Sequence, residues 1–138
     1  MIAPDTNVLV RIITNDDAVQ ATLAADALRS KTVFLCKTVI MELEWVLRYS
    51  YRLDRATVNQ ALATLVGLEN SVIEDAETVE KAIEHHARGM DLADALHLLS
   101  SHNADAFVTF DRKMVGAASR HYRDTGPTVR LLGDLEDD

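Results

Sequence analysis

Short apolar runs alternate with longer amphipathic segments along this 138-residue chain. Five runs are rich in β-branched or other apolar residues and read as strands: 1–4, 32–36, 72–73, 106–110 and 128–132. Between them, apolar residues recur three and four positions apart, which is typical of helices. Short strands that alternate with helices predict an α/β fold, in which helices cover both faces of a parallel sheet.

Seven helices are predicted, at 8–13, 15–29, 38–49, 54–66, 77–88, 91–102 and 112–122. Asp54 is well placed to cap the fourth helix, and Gly89 to end the fifth. The third and fourth helices follow one another with no strand between them, so we expect a helical hairpin that projects from the sheet. Pro4 is unusual inside a central strand because its nitrogen donates no hydrogen bond.

Length and composition fit one domain, which we place at 1–132 and follow with an acidic tail at 133–138. The formal net charge of −8 argues against a general nucleic-acid coat protein, which needs a basic face. An enzyme that acts on nucleic acid remains possible, because bound cations would offset clustered acids. The opening residues are not those of a signal peptide and no apolar run is long enough to span a membrane, so we expect a cytoplasmic protein.

Two carboxylates directly follow predicted strands. Asp5 comes after 1–4 and Asp111 after 106–110, and a helical segment follows each of them. Ligands of open α/β sheets bind just beyond the carboxyl ends of the strands, so both acids are well placed for chemistry. Aspartate is also a good N-cap, and capping alone is an equally reasonable interpretation of Asp5.

The third helix carries two glutamates that we interpret differently. Glu42 lies three residues after Val39 and four before Val46, so we expect it on the apolar stripe. A carboxylate there is costly to bury unless a cation meets it. Glu44 stands four residues before Arg48 and is interpreted as an ordinary helical ion pair.

Asp91 and Asp94 open the sixth helix one turn apart. The simplest interpretation is that Asp91 caps the helix and that Asp94 interacts favourably with the helix dipole. The spacing nevertheless puts both carboxylates on one face, near the start of a helix that can lean over the strand ends.

One rim of the sheet would then gather four acids: Asp5, Glu42, Asp94 and Asp111. Carboxylates held this close repel one another unless they share cations. Oxygen ligands without Cys or His at ligand spacing favour Mg²⁺ or Mn²⁺ over Zn²⁺. Such a site lowers the pKa of a bound water and neutralises the charge that builds up on a phosphodiester under attack.

The same residues resemble the motifs of PIN-domain ribonucleases. Four motifs occur in the order seen in that family: Asp5-Thr6-Asn7, Glu42-Leu43, Asp91-Leu92-Ala93-Asp94-Ala95-Leu96 and Thr109-Phe110-Asp111-Arg112-Lys113. Within the family, the chain is most similar to the VapC toxins of type II toxin–antitoxin systems. The order of the motifs and the size of the chain together make the resemblance specific, although each motif alone is common.

The resemblance implies an α/β/α sandwich with a parallel sheet of about five strands, and an endoribonuclease that uses Mg²⁺ or Mn²⁺ to cut single-stranded or looped RNA. It implies that the metal is held, and catalysis carried out, by Asp5, Glu42, Asp94 and Asp111. Side chains that orient these carboxylates would be Asn7, Thr109 and Asp91. It further implies a homodimer and a cognate antitoxin protein that covers the active groove.

The RNA backbone needs positive partners, and the candidates are Arg11, Arg48, Arg52, Arg55, Arg112 and Lys113. Tyr49 and Tyr51 could stack on unpaired bases, although packing is the more usual role for these tyrosines and for Trp45. Three alternatives stay open: a receiver-type signalling domain that binds Mg²⁺ and accepts a phosphoryl group, a PIN fold without activity, and a nuclease of DNA.

Overall fold

The computed structural model describes residues 1–122 and 126–135. In these ranges the chain forms seven α-helices and four short strands, in the order α1 (Thr6–Thr14), α2 (Ala18–Ser30), β1 (Val33–Leu35), α3 (Lys37–Trp45), α4 (Arg55–Val66), β2 (Ser71–Ile73), α5 (Ala76–Ala87), α6 (Leu92–Ser100), β3 (Ala106–Thr109), α7 (Arg112–His121) and β4 (Thr128–Leu131). The α/β class is confirmed. Of the predicted acidic tail, 136–138 lies outside the described residues.

The prediction of one sheet with about five strands is not met in the part of the chain that the structure describes. The strands instead form two separate two-stranded sheets, both parallel. β1 pairs with β2 in a register that places Val33 opposite Ser71. β3 pairs with β4 in a register that places Ala106 opposite Thr128.

The predicted first strand is reduced to a single bridge between Ile2 and Val33. The Ile2 amide donates to the Thr32 carbonyl at 2.9 Å, and the Phe34 amide donates to the Ile2 carbonyl at 2.7 Å. In a parallel ladder, the next bond would run from the amide of residue 4 to the Phe34 carbonyl. Pro4 has no amide hydrogen, so the ladder ends there.

The helices pack around one continuous apolar core. Its completely buried side chains include Leu35, Leu43, Leu47, Leu62 and Leu98, which come from five different segments of the chain. The helix starts follow the predicted signals. Asp17 caps α2 through the Gln20 amide, and Asp54 caps α4 through the Thr57 amide.

The predicted third helix, 38–49, changes its hydrogen bonding near its end. Regular α3 stops at Trp45, and a π-helical turn continues over Val46–Ser50. A π-helical turn is wider than an α-helical one and rotates the side chains that follow it. No helix within the described ranges combines the length and apolar character needed to cross a membrane.

Candidate active site

Three of the acids named from the sequence cap helices. Asp5, Asp91 and Asp111 each accept a backbone N–H from two or three residues further on, at 3.2, 3.0 and 2.9 Å. They stand at the N-termini of α1, α6 and α7, where the helix dipole favours negative charge. Capping of α1 by Asp5 is therefore real, and it fixes the direction in which this exposed carboxylate points.

Asp94 lies in the electrostatic field of acids from two helices. Burial raises the pKa of its carboxyl, and the charges of Asp91 and then Asp111 raise it further. His97, one turn along α6, acts in the opposite direction. Asp111 is the N-cap of α7, so the N-termini of α6 and α7 bring Asp91 and Asp111 within electrostatic reach of Asp94.

The expectation that Glu42 lies on the apolar stripe of α3 is wrong. Glu42 is exposed, whereas Glu44 is only 3% exposed. The buried stripe consists of Ile40, Leu43, Glu44 and Leu47, at the spacing of one helix face. The structure thus turns α3 so that Glu44 faces inward.

Glu44 belongs to a buried polar network rather than to an ordinary surface pair. Its Oε1 lies 2.7 Å from Arg48 Nε and 3.3 Å from Nε2 of His86, a histidine with no exposed surface. Burial acts to raise the pKa of the Glu44 carboxyl, but hydrogen bonding to His86 and the charge of Arg48 outweigh it, and the pKa lies below its ordinary value. Glu44 is therefore an ionised group inside the protein.

Asn59 determines which nitrogen of His86 carries the proton. Its amide Nδ2 donates to the Ile83 carbonyl at 2.8 Å and lies 3.0 Å from His86 Nδ1. An amide nitrogen can only donate, so Nδ1 accepts and the hydrogen of the neutral ring lies on Nε2, which faces Glu44.

Arg48 connects this network to the rim of acids. Its Nη2 lies 3.1 Å from Asp91 Oδ1, while the other oxygen of Asp91 caps α6 at the Asp94 amide. Burial alone would lower the pKa of the guanidinium, but Glu44, with smaller contributions from Tyr49 and Asp91, holds it above its ordinary value. A chain of polar contacts thus runs from buried His86 to the carboxylates.

His86 and Asn59 are not among the functional residues predicted from the sequence. A signal for His86 was present, because it follows Val79, Ala82 and Ile83 at the spacing of one buried helix face. A polar residue on such a stripe needs a buried partner. Nothing in the local sequence indicates that this partner is Glu44 of α3.

Glu42 lies near Asp91 although it faces away from the core. It borders a cavity of about 520 Å³ together with Asp91, His97, Trp45 and Tyr49. Glu42 therefore borders the same cavity as Asp91, the N-cap of α6.

The other residues named from the sequence have diverse surroundings. The Thr109 hydroxyl accepts the Asp111 amide at 3.0 Å, and Asn7 is exposed in the first turn of α1. Arg11 forms an ion pair with Asp16 at 3.2 Å, so its charge is already engaged within the protein and is less available to RNA. Arg55 donates to two backbone carbonyls, at 2.9 and 3.1 Å. The remaining basic candidates, Arg52, Arg112 and Lys113, are exposed.

The donor chemistry of this rim fits a hard divalent cation. The groups are carboxylate oxygens, and a shared cation would offset both the burial and the neighbouring charges that raise the pKa of Asp94. Within residues 1–122 and 126–135, no three His, Cys, Asp or Glu side chains are close enough together to hold a metal ion.

Comparison with protein families gives one match, to the PIN domain over residues 2–119. The matched segment contains all the candidate acids, Asp91 included. It also contains the buried network of Glu44, Arg48, Asn59 and His86. A search of curated proteins finds no match, and neither does a search of solved structures.

Proposed function

This chain belongs to the PIN-domain family, whose members are typically metal-dependent nucleases, and we propose that it is an endoribonuclease that uses Mg²⁺ or Mn²⁺. The observation that carries the proposal is the match to the PIN domain over residues 2–119. Asp94 supports it, because burial and the charges of Asp91 and Asp111 oppose its ionisation, and a bound cation would offset that cost. The family match also argues against a receiver-type signalling domain.

The acids have two different parts in the proposed reaction. Asp5, Glu42, Asp94 and Asp111 would hold the cation, which supplies an acidified water and neutralises charge on the phosphodiester. Asp91 is a less suitable ligand for the cation, because its two carboxylate oxygens already accept hydrogen bonds from Arg48 and from the Asp94 amide. It holds the start of α6, and with it Asp94, in place. Arg112 and Lys113, exposed beside Asp111, would receive the RNA backbone.

Cleavage of single-stranded RNA by the purified protein tests the proposal. We expect cleavage with Mg²⁺ or Mn²⁺, no cleavage with a chelator, and loss of activity in Asp94→Asn with the fold retained. Parallel assays on single-stranded DNA distinguish the two substrates. A wild-type protein that cuts neither nucleic acid with either metal would contradict the proposal and favour a PIN fold without activity.

We further propose that the protein is a VapC-like toxin, active as a homodimer and restrained by a protein antitoxin. The resemblance of motif order and chain size supports this, and so does an apolar groove along α1 and α4 that Ile12, Ile13, Leu65 and Leu68 line. Expression should arrest growth, and co-expression of an adjacent small gene should relieve the arrest. Sedimentation of the purified protein measures its oligomeric state.

A further inference from the structure

Two large aromatic side chains stand exposed beside the candidate active site. Trp45 is 54% exposed and Tyr49 is 55% exposed, and their ring centroids are 5.2 Å apart. An exposed pair of this size forms a continuous apolar surface, and such surfaces commonly mark binding sites. The usual packing role of these residues does not account for them here.

The pair is held in place from the protein interior. The Arg48 guanidinium lies 4.5 Å from the centre of the Tyr49 ring, at the distance of a cation–π contact. Arg48 in turn is fixed by buried Glu44 at 2.7 Å and by Asp91 at 3.1 Å. The Tyr49 ring therefore rests on a rigid base that also holds the start of α6.

The surroundings of the pair favour a neutral ligand with a flat face. Glu42, Asp91 and His97 border the same cavity, of about 520 Å³. Arg48, the one Arg or Lys that lines it among the described residues, is already paired with two carboxylates. An isolated phosphate would be repelled there. An aromatic heterocycle can stack on the rings, and carboxylates can accept hydrogen bonds from its amino groups.

We propose that Trp45 and Tyr49 form a stacking site for an unpaired base of the RNA, adjacent to the phosphodiester that lies at the acidic rim. This inference rests on the proposed function and extends it, because it makes recognition of the single strand depend on bases as well as on the backbone. A second copy of the chain is the competing occupant. The charged groups around the rings favour the base, since the core of an obligate protein interface is depleted in charge.

The chain carries its own reporter, because Trp45 is its only tryptophan. Titration with a short single-stranded RNA, in Ca²⁺ to neutralise the carboxylates, should quench the emission of Trp45 by stacking. Inorganic polyphosphate at equal charge should leave it unchanged. Equal quenching by polyphosphate, no quenching by RNA, or a blue shift that depends only on protein concentration would overturn the inference; the last result would assign the rings to self-association.

Substitutions separate stacking from folding. Trp45→Ala should raise KM for RNA cleavage roughly 5- to 150-fold, the range for loss of one base–aromatic contact. Trp45→Phe should retain most of the binding. Leu23→Ala, which removes an even more exposed apolar side chain on α2, should leave KM unchanged. If wild type cuts RNA and Trp45→Ala retains its KM, the stacking site is wrong while the nuclease stands. If wild type cuts no RNA, the proposed function itself fails.

Discussion

The imidazole of His86 faces the carboxylate of Glu44 inside the protein, with Nε2 3.3 Å from Oε1. Both side chains are almost fully buried, and they come from α5 and α3. An ionised carboxylate in such a position requires compensation, which His86 and Arg48 supply together. Since Arg48 also contacts Asp91, the stability of the core and the geometry of the acidic rim depend on the same network.

Glu44→Gln should destabilise the protein at pH 7 by about 2 kcal/mol, the range for a buried hydrogen bond to a charged group. The fold lowers the pKa of Glu44 below its ordinary value of 4.5, so its ionised form stabilises the folded state above that pH. This contribution is lost as the pH falls through the lowered pKa. Urea unfolding at a series of pH values measures the effect.

Glu80→Gln, on the exposed face of α5, is the matched control and should leave the free energy of unfolding nearly unchanged. The difference in the free energy of unfolding between wild type and Glu44→Gln should become smaller below pH 4.5. A gap of the same size at pH 7 and at acid pH would show that the charge of Glu44 is not what stabilises the fold.

The apolar pattern of α3 predicts burial of Glu42, whereas the fold buries Glu44, and the difference is one of helix phase. Val39 and Val46 suggested a stripe that includes Glu42, but both valines are only half-buried. Fully buried Ile40 shifts the stripe by one residue and brings Glu44 inward. The apolar residues of this helix fit two different buried faces, and only packing against α1, α4 and α6 decides between them.

Arg48→Lys should lower kcat roughly tenfold, because an ammonium group cannot contact Glu44 and Asp91 in the way a guanidinium does. The positive charge is retained, so a loss would report the positioning of Asp91 rather than a change in net charge. Steady-state cleavage of RNA by folded variants measures it. Arg29→Lys, at an exposed pair on α2, serves as the control; equal activities of all three proteins would disconnect Arg48 from the rim.

Helices and strands were predictable to within a few residues because caps and apolar periodicity are local signals. Asp54 and Asp91 begin helices where the sequence indicates. The sheet was not predictable in the same way, since pairing of strands is a long-range property. Pro4 pointed to the weakness of the first strand, and the missing amide explains why its ladder with β1 ends at Phe34.

Asp94→Asn should raise the unfolding temperature of the metal-free protein at pH 7, by roughly 2–5 °C. The fold raises the pKa of Asp94, so stability is lost as the pH rises from the ordinary value of 3.8 through the raised pKa. An amide removes the half-buried charge and this loss with it. Asp105→Asn, at an exposed position, is the control. A lower unfolding temperature for Asp94→Asn than for wild type would mean that its ionised carboxylate is stabilised rather than repelled.

Mg²⁺ or Mn²⁺ should raise the unfolding temperature of the wild-type protein. With metal bound, wild type should become more stable than Asp94→Asn, the reverse of the metal-free order. Cations that bind only the folded state stabilise it by about 2.7 kcal/mol at one hundred times their Kd. Asp94→Asn removes one of the ligands and the charge that draws the ion in, so its unfolding temperature should respond weakly. Scanning fluorimetry over a metal titration, with return to the starting value on chelation, provides the measurement. Parallel responses of wild type and Asp94→Asn would place the bound cation away from α6, and the rim of acids would then have no part in holding it.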